Sequence, residues 1–100
     1  MEISNPADNV KTRFIVTVLG KDKKGIIADV AATLSENDVN ILDISQTILQ
    51  EFFTMVMVVD SADSNLPTGE LRELLEKNGG ELGVKITLQH ESVFDYMHRI

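Results

Sequence analysis

The sequence predicts an α+β sandwich, with four strands in one antiparallel sheet and two helices on one of its faces. Three observations lead there. Four short stretches are rich in β-branched and aromatic residues, and either alternate apolar with polar or run apolar throughout. After the first and after the third, the apolar spacing changes to that of an amphipathic helix. The chain has 100 residues, 43% apolar and 25% charged, which marks one globular domain and excludes a solvated, disordered chain. A chain this short buries roughly 65% of its extended surface, so a second core has no room.

The elements follow in order. Residues 1–10 carry turn-formers and charges without periodicity and read as a flexible lead-in to a domain over 11–91. Arg13 to Leu19 is dense in Phe, Ile and Val and makes the first strand. Gly20-Lys21-Asp22-Lys23-Lys24-Gly25 follows as a loop framed by glycines. Ile27, Val30, Ala31 and Leu34 then fall at i, i+3, i+4 and i+7, one face of a helix. Asn37-Asp38 ends it, because Asn accepts the left-handed backbone that a helix C-terminus often needs. Val39 to Leu49 returns to period two, with Leu42, Ile44 and Ile48 on one side and Asp43, Ser45 and Thr47 on the other. Gln50-Glu51 turns the chain into Phe52 to Val59, apolar at almost every position. Beyond the polar loop 60–65, Pro67 sits in the first turn of a second helix with the stripe Leu71, Leu74, Leu75 and Leu82. That helix ends either at Gly79-Gly80 or at Gly83. Val84 to Glu91 alternates once more, with Val84, Ile86 and Leu88 inward. Val93, Met97 and Ile100, with Phe94 beside them, have the spacing of a short C-terminal helix over 92–100.

Strand, helix, strand, given twice, is the ferredoxin-like βαββαβ pattern. Strands one and three are apolar on both faces and belong in the centre of the sheet; two and four alternate and belong at its edges, which is the order 4-1-3-2. Two helices on one face leave the other face of the central strands bare, with more apolar surface than monomers usually expose. The C-terminal segment, through Val93, Phe94, Met97 and Ile100, and a second copy of the chain are both expected to cover it. The second strand has neither proline nor lysine to blunt its edge, so self-association through it is expected, as a homodimer or a higher homo-oligomer.

Charge and composition exclude several classes. Nine Lys and Arg against 16 Asp and Glu give a net charge of −7, which disfavours a nucleic-acid backbone or an anionic membrane as partner. With no cysteine there are no disulfides, thiolate metal sites or cysteine nucleophiles. Met1 to Pro6 shows neither the basic nor the apolar part of a leader, and the longest apolar run, Met55 to Val59, is too short to cross a bilayer. These features together point to the cytoplasm.

The loop from Gly20 to Gly25 is the place with chemistry. Its last residues adjoin the unpaired N–H groups and positive dipole end of the following helix, which attract carboxylate or phosphate. Gly25 has no Cβ to hold a ligand off the backbone, Lys23 and Lys24 add positive charge, and Asp22 offers an acceptor for an ammonium. These groups complement both ends of a free amino acid. A plain turn with solvated lysines is the competing reading. The loop is not a P-loop, because Ile26-Ile27 stands where Lys-Ser/Thr would be required. Asn40 either completes a turn or presents its amide to a neighbouring chain. His90 and His98 lack metal-ligand spacing, and Asp43, Ser45 and Thr47 have no histidine near in sequence. Phe52, Phe53, Met55 and Met57 read as core, and Glu70, Glu73, Glu76 and Glu81 as the outer face of a helix. No catalytic constellation, metal site or cofactor is expected, and the chain does not read as an enzyme.

Taken together, Phe14 to Leu19, the run Gly20-Lys21-Asp22-Lys23-Lys24-Gly25-Ile26-Ile27-Ala28 and the run Val39-Asn40-Ile41-Leu42-Asp43-Ile44-Ser45-Gln46 resemble an ACT domain. Phe52 to Met57 and Gly83 to Ile86 agree with it, so the resemblance covers Lys11 to Ile100. More narrowly the chain is similar to small bacterial and archaeal proteins made of one ACT domain and a short C-terminal extension. The resemblance implies a ferredoxin-like regulatory module that commonly binds an amino acid. It implies an effector held between the loop after strand one and the start of strand two of a neighbouring subunit. Matched position by position, that gives Asp22, Gly25 and Ile26 from one segment and Asn40 and Ile41 from the other, and the charge of Lys24 adds it to the expected site. Lys24 departs from the proline that many members carry there. The function expected is therefore a non-catalytic, homodimeric regulator that binds a small molecule, an amino acid first, and acts on a partner protein. The alternative is an interaction or oligomerisation module with no small ligand.

Overall fold

The computed structural model describes residues 12–21 and 24–92. The expected lead-in over 1–10, Asp22, Lys23 and the expected C-terminal helix beyond Ser92 lie outside the described residues. The elements are β1 (Arg13–Lys21), α1 (Ile26–Glu36), β2 (Asn40–Leu49), β3 (Phe52–Asp60), α2 (Thr68–Leu82) and β4 (Lys85–His90). One antiparallel sheet runs β2-β3-β1-β4, the expected order 4-1-3-2 read from the other edge.

The core lies between the sheet and its two helices. Phe14, Val16 and Val18 of β1, the odd positions Phe53 to Val59 of β3, and Ile86 and Leu88 of β4 meet Ile26, Val30 and Leu34 of α1 and Leu71 and Leu75 of α2. Ile15, on the other sheet face, is only 3% exposed, so the centre of the sheet is apolar on both sides as its composition suggested.

Several details differ from the sequence reading. The buried stripe of α1 is Ile26, Val30 and Leu34, one residue earlier at its start than expected, and Ile27 and Ala31 are half-buried beside it. Asp38, not Asn37, takes the left-handed turn after α1, at φ +58°, while Asn37 donates its side-chain amide to the Thr33 carbonyl at 2.8 Å. Pro67 stands just before α2 at ψ 151°, outside the first turn, because its extended backbone lets its carbonyl accept the Leu71 N–H at 2.9 Å. Gly83, at φ +76°, ends α2 and decides between the two candidate ends. In β2 the pairing with β3 skips Leu42 between Ile41 and Asp43, so Leu42 is a bulge residue and no part of the alternation. Phe52, expected in the core, is 55% exposed, because its pairing with Leu49 and Lys21 turns it to the face away from the helices.

Gly79 and Gly80 separate two roles that composition alone merges. A Cβ on Gly79 would lie 2.8 Å from the Val84 carbonyl oxygen and 3.0 Å from Ile86 Cγ1, whereas one on Gly80 would meet nothing within 4 Å. Gly79 therefore lets α2 lie against the start of β4. Gly79→Ala is expected to lower stability by about 1–2 kcal/mol, because overpacking outweighs the gain in helix propensity. Gly80→Ala is expected to raise it by about 0.5–1 kcal/mol. Urea midpoints of the two variants check both signs.

Candidate functional site

The turn between β1 and α1 is built on Gly25, which caps α1 at φ +84° and ψ −3°, a left-handed conformation that a side chain would strain. Its carbonyl accepts the Asp29 N–H at 2.9 Å and so starts the helix. Among the described residues no side chain hydrogen-bonds to cap that end of α1, where the leading N–H groups of the helix and its positive dipole end lie with Asp29 in the first turn. A Cβ on Gly25 would stand in open space, so the backbone there is approachable. Lys24, next to it, is exposed, and Lys21 is exposed at the end of β1.

An open groove of about 420 Å³ begins at this turn. One wall is Gly25, Ile26, Ile27 and Ala28; the other is Gln46 and Ile48 of β2 with Phe53 of β3. Register explains the second wall. Gln46 pairs with Met55 and Ile48 with Phe53, so both share the helix-side face of the sheet. They stand out at the edge beyond the cover of the helices, and Ile48 is 54% exposed. Among the described lining residues Gln46 brings the one polar side chain, a donor and an acceptor together.

Of the residues expected in a site, the structure brings Lys24, Gly25 and Ile26 together. Asp22 lies outside the described residues. Asn40 and Ile41 are elsewhere: Asn40 pairs with Asp60, and Asp60 with Arg13, at the end of the sheet opposite Lys21 and Phe52. Six residues at about 3.3 Å each separate Asn40 from Gln46, its nearest groove residue on β2, by about 20 Å. Within one chain the two segments do not meet. Ile27, Ala28, Gln46, Ile48 and Phe53 are the lining residues that sequence reasoning did not assign to the site.

The remaining candidates have structural surroundings. His90 packs edge-on against Phe14, with ring centroids 5.4 Å apart, and its Nδ1 lies 2.9 Å from Ser92 Oγ. Asp43 accepts the Ile44 N–H at 2.9 Å. Glu70, Glu73, Glu76 and Glu81 are exposed on α2. Among the described residues no three His, Asp or Glu side chains come together as a metal site, and no helix is long and apolar enough to cross a membrane.

A two-layer βαββαβ domain of this strand order defines the class of small ferredoxin-like domains. The ACT domain model matches residues 12–89. A UPF0237 protein of Methanopyrus kandleri is 49% identical over 89 residues, covering 89% of this chain and 99% of its own. The structure of an ACT domain protein from Streptococcus pneumoniae superposes with a TM-score of 0.73 at 46% identity, over 83% of this chain and 93% of that one. The regulatory subunit of aspartate kinase from Thermus thermophilus shares the fold, with a TM-score of 0.61 at 24% identity over 78% of this chain and 50% of that one. The chain belongs to the ACT domain family, whose members are regulatory ligand-binding domains.

Proposed function

We propose that this protein is a non-catalytic regulator of the cytoplasm that binds an amino acid between two copies of itself. The observation that carries the reading is the start of α1 at Gly25, without a side-chain cap among the described residues, opening onto a groove whose other wall is Gln46 and Ile48 of the edge strand with Phe53 of β3. The leading N–H groups of α1 take the ligand carboxylate. The apolar lining receives its side chain, and Gln46 hydrogen-bonds its polar part. Asp22 takes the ammonium. Asn40 and Ile41 enter from the second copy, since their own chain holds them at the far end of the sheet. A ligand bound across two chains favours one arrangement of the pair, and that shift is what a downstream protein reads.

Titrating the purified protein with each of the twenty amino acids, and following thermal unfolding, tests this. One of them at a hundred times its dissociation constant is expected to stabilise the fold by about 2.7 kcal/mol. Gly25→Ala is expected to abolish that response. Absence of a shift with any of them at millimolar concentration contradicts the amino-acid reading. The second reading, a docking module without a small ligand, draws on Leu19, Leu49 and Phe52, which are 43%, 71% and 55% exposed. It predicts no thermal response to amino acids and loss of partner binding on Phe52→Ala.

A further inference from the structure

We infer that residues 93–100 fold back across the sheet face opposite the helices and cover its Arg13 end through Val93, Phe94, Met97 and Ile100. A contrast along β1 carries this. Phe14, Val16 and Val18 face the helices, so Ile15 and Leu19 share the opposite face of the same central strand. Each is flanked there by paired residues on both sides, Ile15 by Val58 and Gln89, Leu19 by Thr54 and Lys85. Yet Ile15 is 3% exposed and Leu19 43%. Neighbours in a sheet stand beside a side chain and leave its tip to solvent, so burial as deep as that of Ile15 needs atoms above it. Both helices pack on the other face, and among the described residues no helix or strand lies over this one. The cover is local. Val56 and Val58 are half-buried, while Leu49 and Phe52, at the Lys21 end, are exposed.

The way the chain leaves the sheet identifies the occupant. The Glu91 N–H donates to the Arg13 carbonyl at 3.0 Å, which carries the pairing one residue past β4. On the open face the Arg13 guanidinium holds the Glu91 carboxylate through Nε at 3.1 Å and Nη2 at 2.8 Å, a two-pronged contact that fixes direction as well as distance. The chain is therefore tied to the start of the central strand, beside Ile15 on that face, and its backbone is helical by Ser92.

Val93, Phe94, Met97 and Ile100 follow at i, i+1, i+4 and i+7, one apolar stripe of a helix. As a helix, 93–100 spans about 12 Å, the length of about four strand residues. Laid along β1 from Arg13, it passes over Ile15 and Thr17 and stops short of Leu19, where exposure returns. A second copy is not needed for this cover, because Ile15 is buried within a single chain. Residues 1–10 offer no apolar stripe that could supply it. Leu19, Leu49 and Phe52 are then the part of the face left for a partner.

Single-cysteine variants of the full chain test this, because the protein has no cysteine of its own. Ile15→Cys is expected to react with a soluble thiol reagent at least about tenfold more slowly than Leu19→Cys, and adding Phe94→Asp with Met97→Asp is expected to remove most of that difference. Met57→Cys, in the core on the helix side, is expected to stay unreactive in the same background, which separates loss of the cover from unfolding. Equal rates at Ile15→Cys and Leu19→Cys overturn the cover. A slow Ile15→Cys that ignores the double substitution overturns the occupant, as does one freed instead by deleting residues 1–10 or by dilution. The native chain gives a second measurement that depends on no variant folding. Nuclear Overhauser contacts are expected between the Ile15 methyl protons and the side chain of Phe94 or Met97 of the same chain, and their absence overturns the inference.

Discussion

Replacing Leu34 by alanine is expected to lower the unfolding free energy by about 3 kcal/mol. Leu34 is 0% exposed in the last full turn of α1, within the cluster that joins both helices to the sheet. Removing its branched end forfeits the transfer free energy of the lost carbons and leaves a cavity that surrounding secondary structure keeps open. A domain of this length has about 5–15 kcal/mol to lose, so one such change consumes a large part of its margin. The α1 backbone does not depend on that side chain, because the Leu34 carbonyl accepts the N–H groups of Asn37 and Val39 at 3.1 and 2.9 Å in either case. The loss is therefore one of packing, read as a lower urea midpoint with an unchanged slope. Leu49→Ala is the contrast. Leu49 is 71% exposed in the single chain, and its removal is expected to change stability by no more than about 0.5 kcal/mol.

The double substitution Ile44→Lys with Ile48→Lys is expected to raise the dissociation constant of the dimer at least about a hundredfold, a loss of about 2.7 kcal/mol. Both side chains stand on the free edge of β2, 41% and 54% exposed, where lysine disturbs little of the single chain's own core. Across a two-fold axis every charge is doubled, so the pair of substitutions crowds four ammonium groups along one seam. Edge lysines are the device by which natural sheets refuse a second strand. The unfolding midpoint of the separated chain should move little while its mass in solution falls. Loss of amino-acid binding in the same variant is also expected, since the second copy completes the groove in the proposed function.

Much of the fold was legible because its signals are local and repeated. The two-sided apolar runs Phe14 to Leu19 and Phe52 to Val59 placed β1 and β3 in the centre, and the change of spacing at Ile26 and at Leu71 marked the helices. What escaped depends on pairing between distant segments. The bulge at Leu42 is set by how β2 lies on β3, and Phe52 looks like core until its partners Leu49 and Lys21 turn it outward. In the site, Gly25 was recognisable from its place between strand and helix, because only a residue without Cβ takes φ +84° freely. Gln46 gave a weaker signal: with the Gln50-Glu51 turn fixing the register, it is the polar residue between Ile44 and Ile48 on a face that otherwise alternates apolar. Asn40 and Gly25 cannot be joined by reading one chain at all, since Asn40 starts β2 at one end of the sheet and Gly25 follows the end of β1 at the other.

Sedimentation equilibrium over a range of micromolar concentrations tests the central claim, that two copies meet along β2 and complete the groove between them. The native chain should show twice 11.1 kDa, and the Ile44→Lys, Ile48→Lys variant should return toward a single chain at the same concentrations. A native protein that stays at one chain's mass throughout, or a doubly substituted one that stays paired, would contradict it.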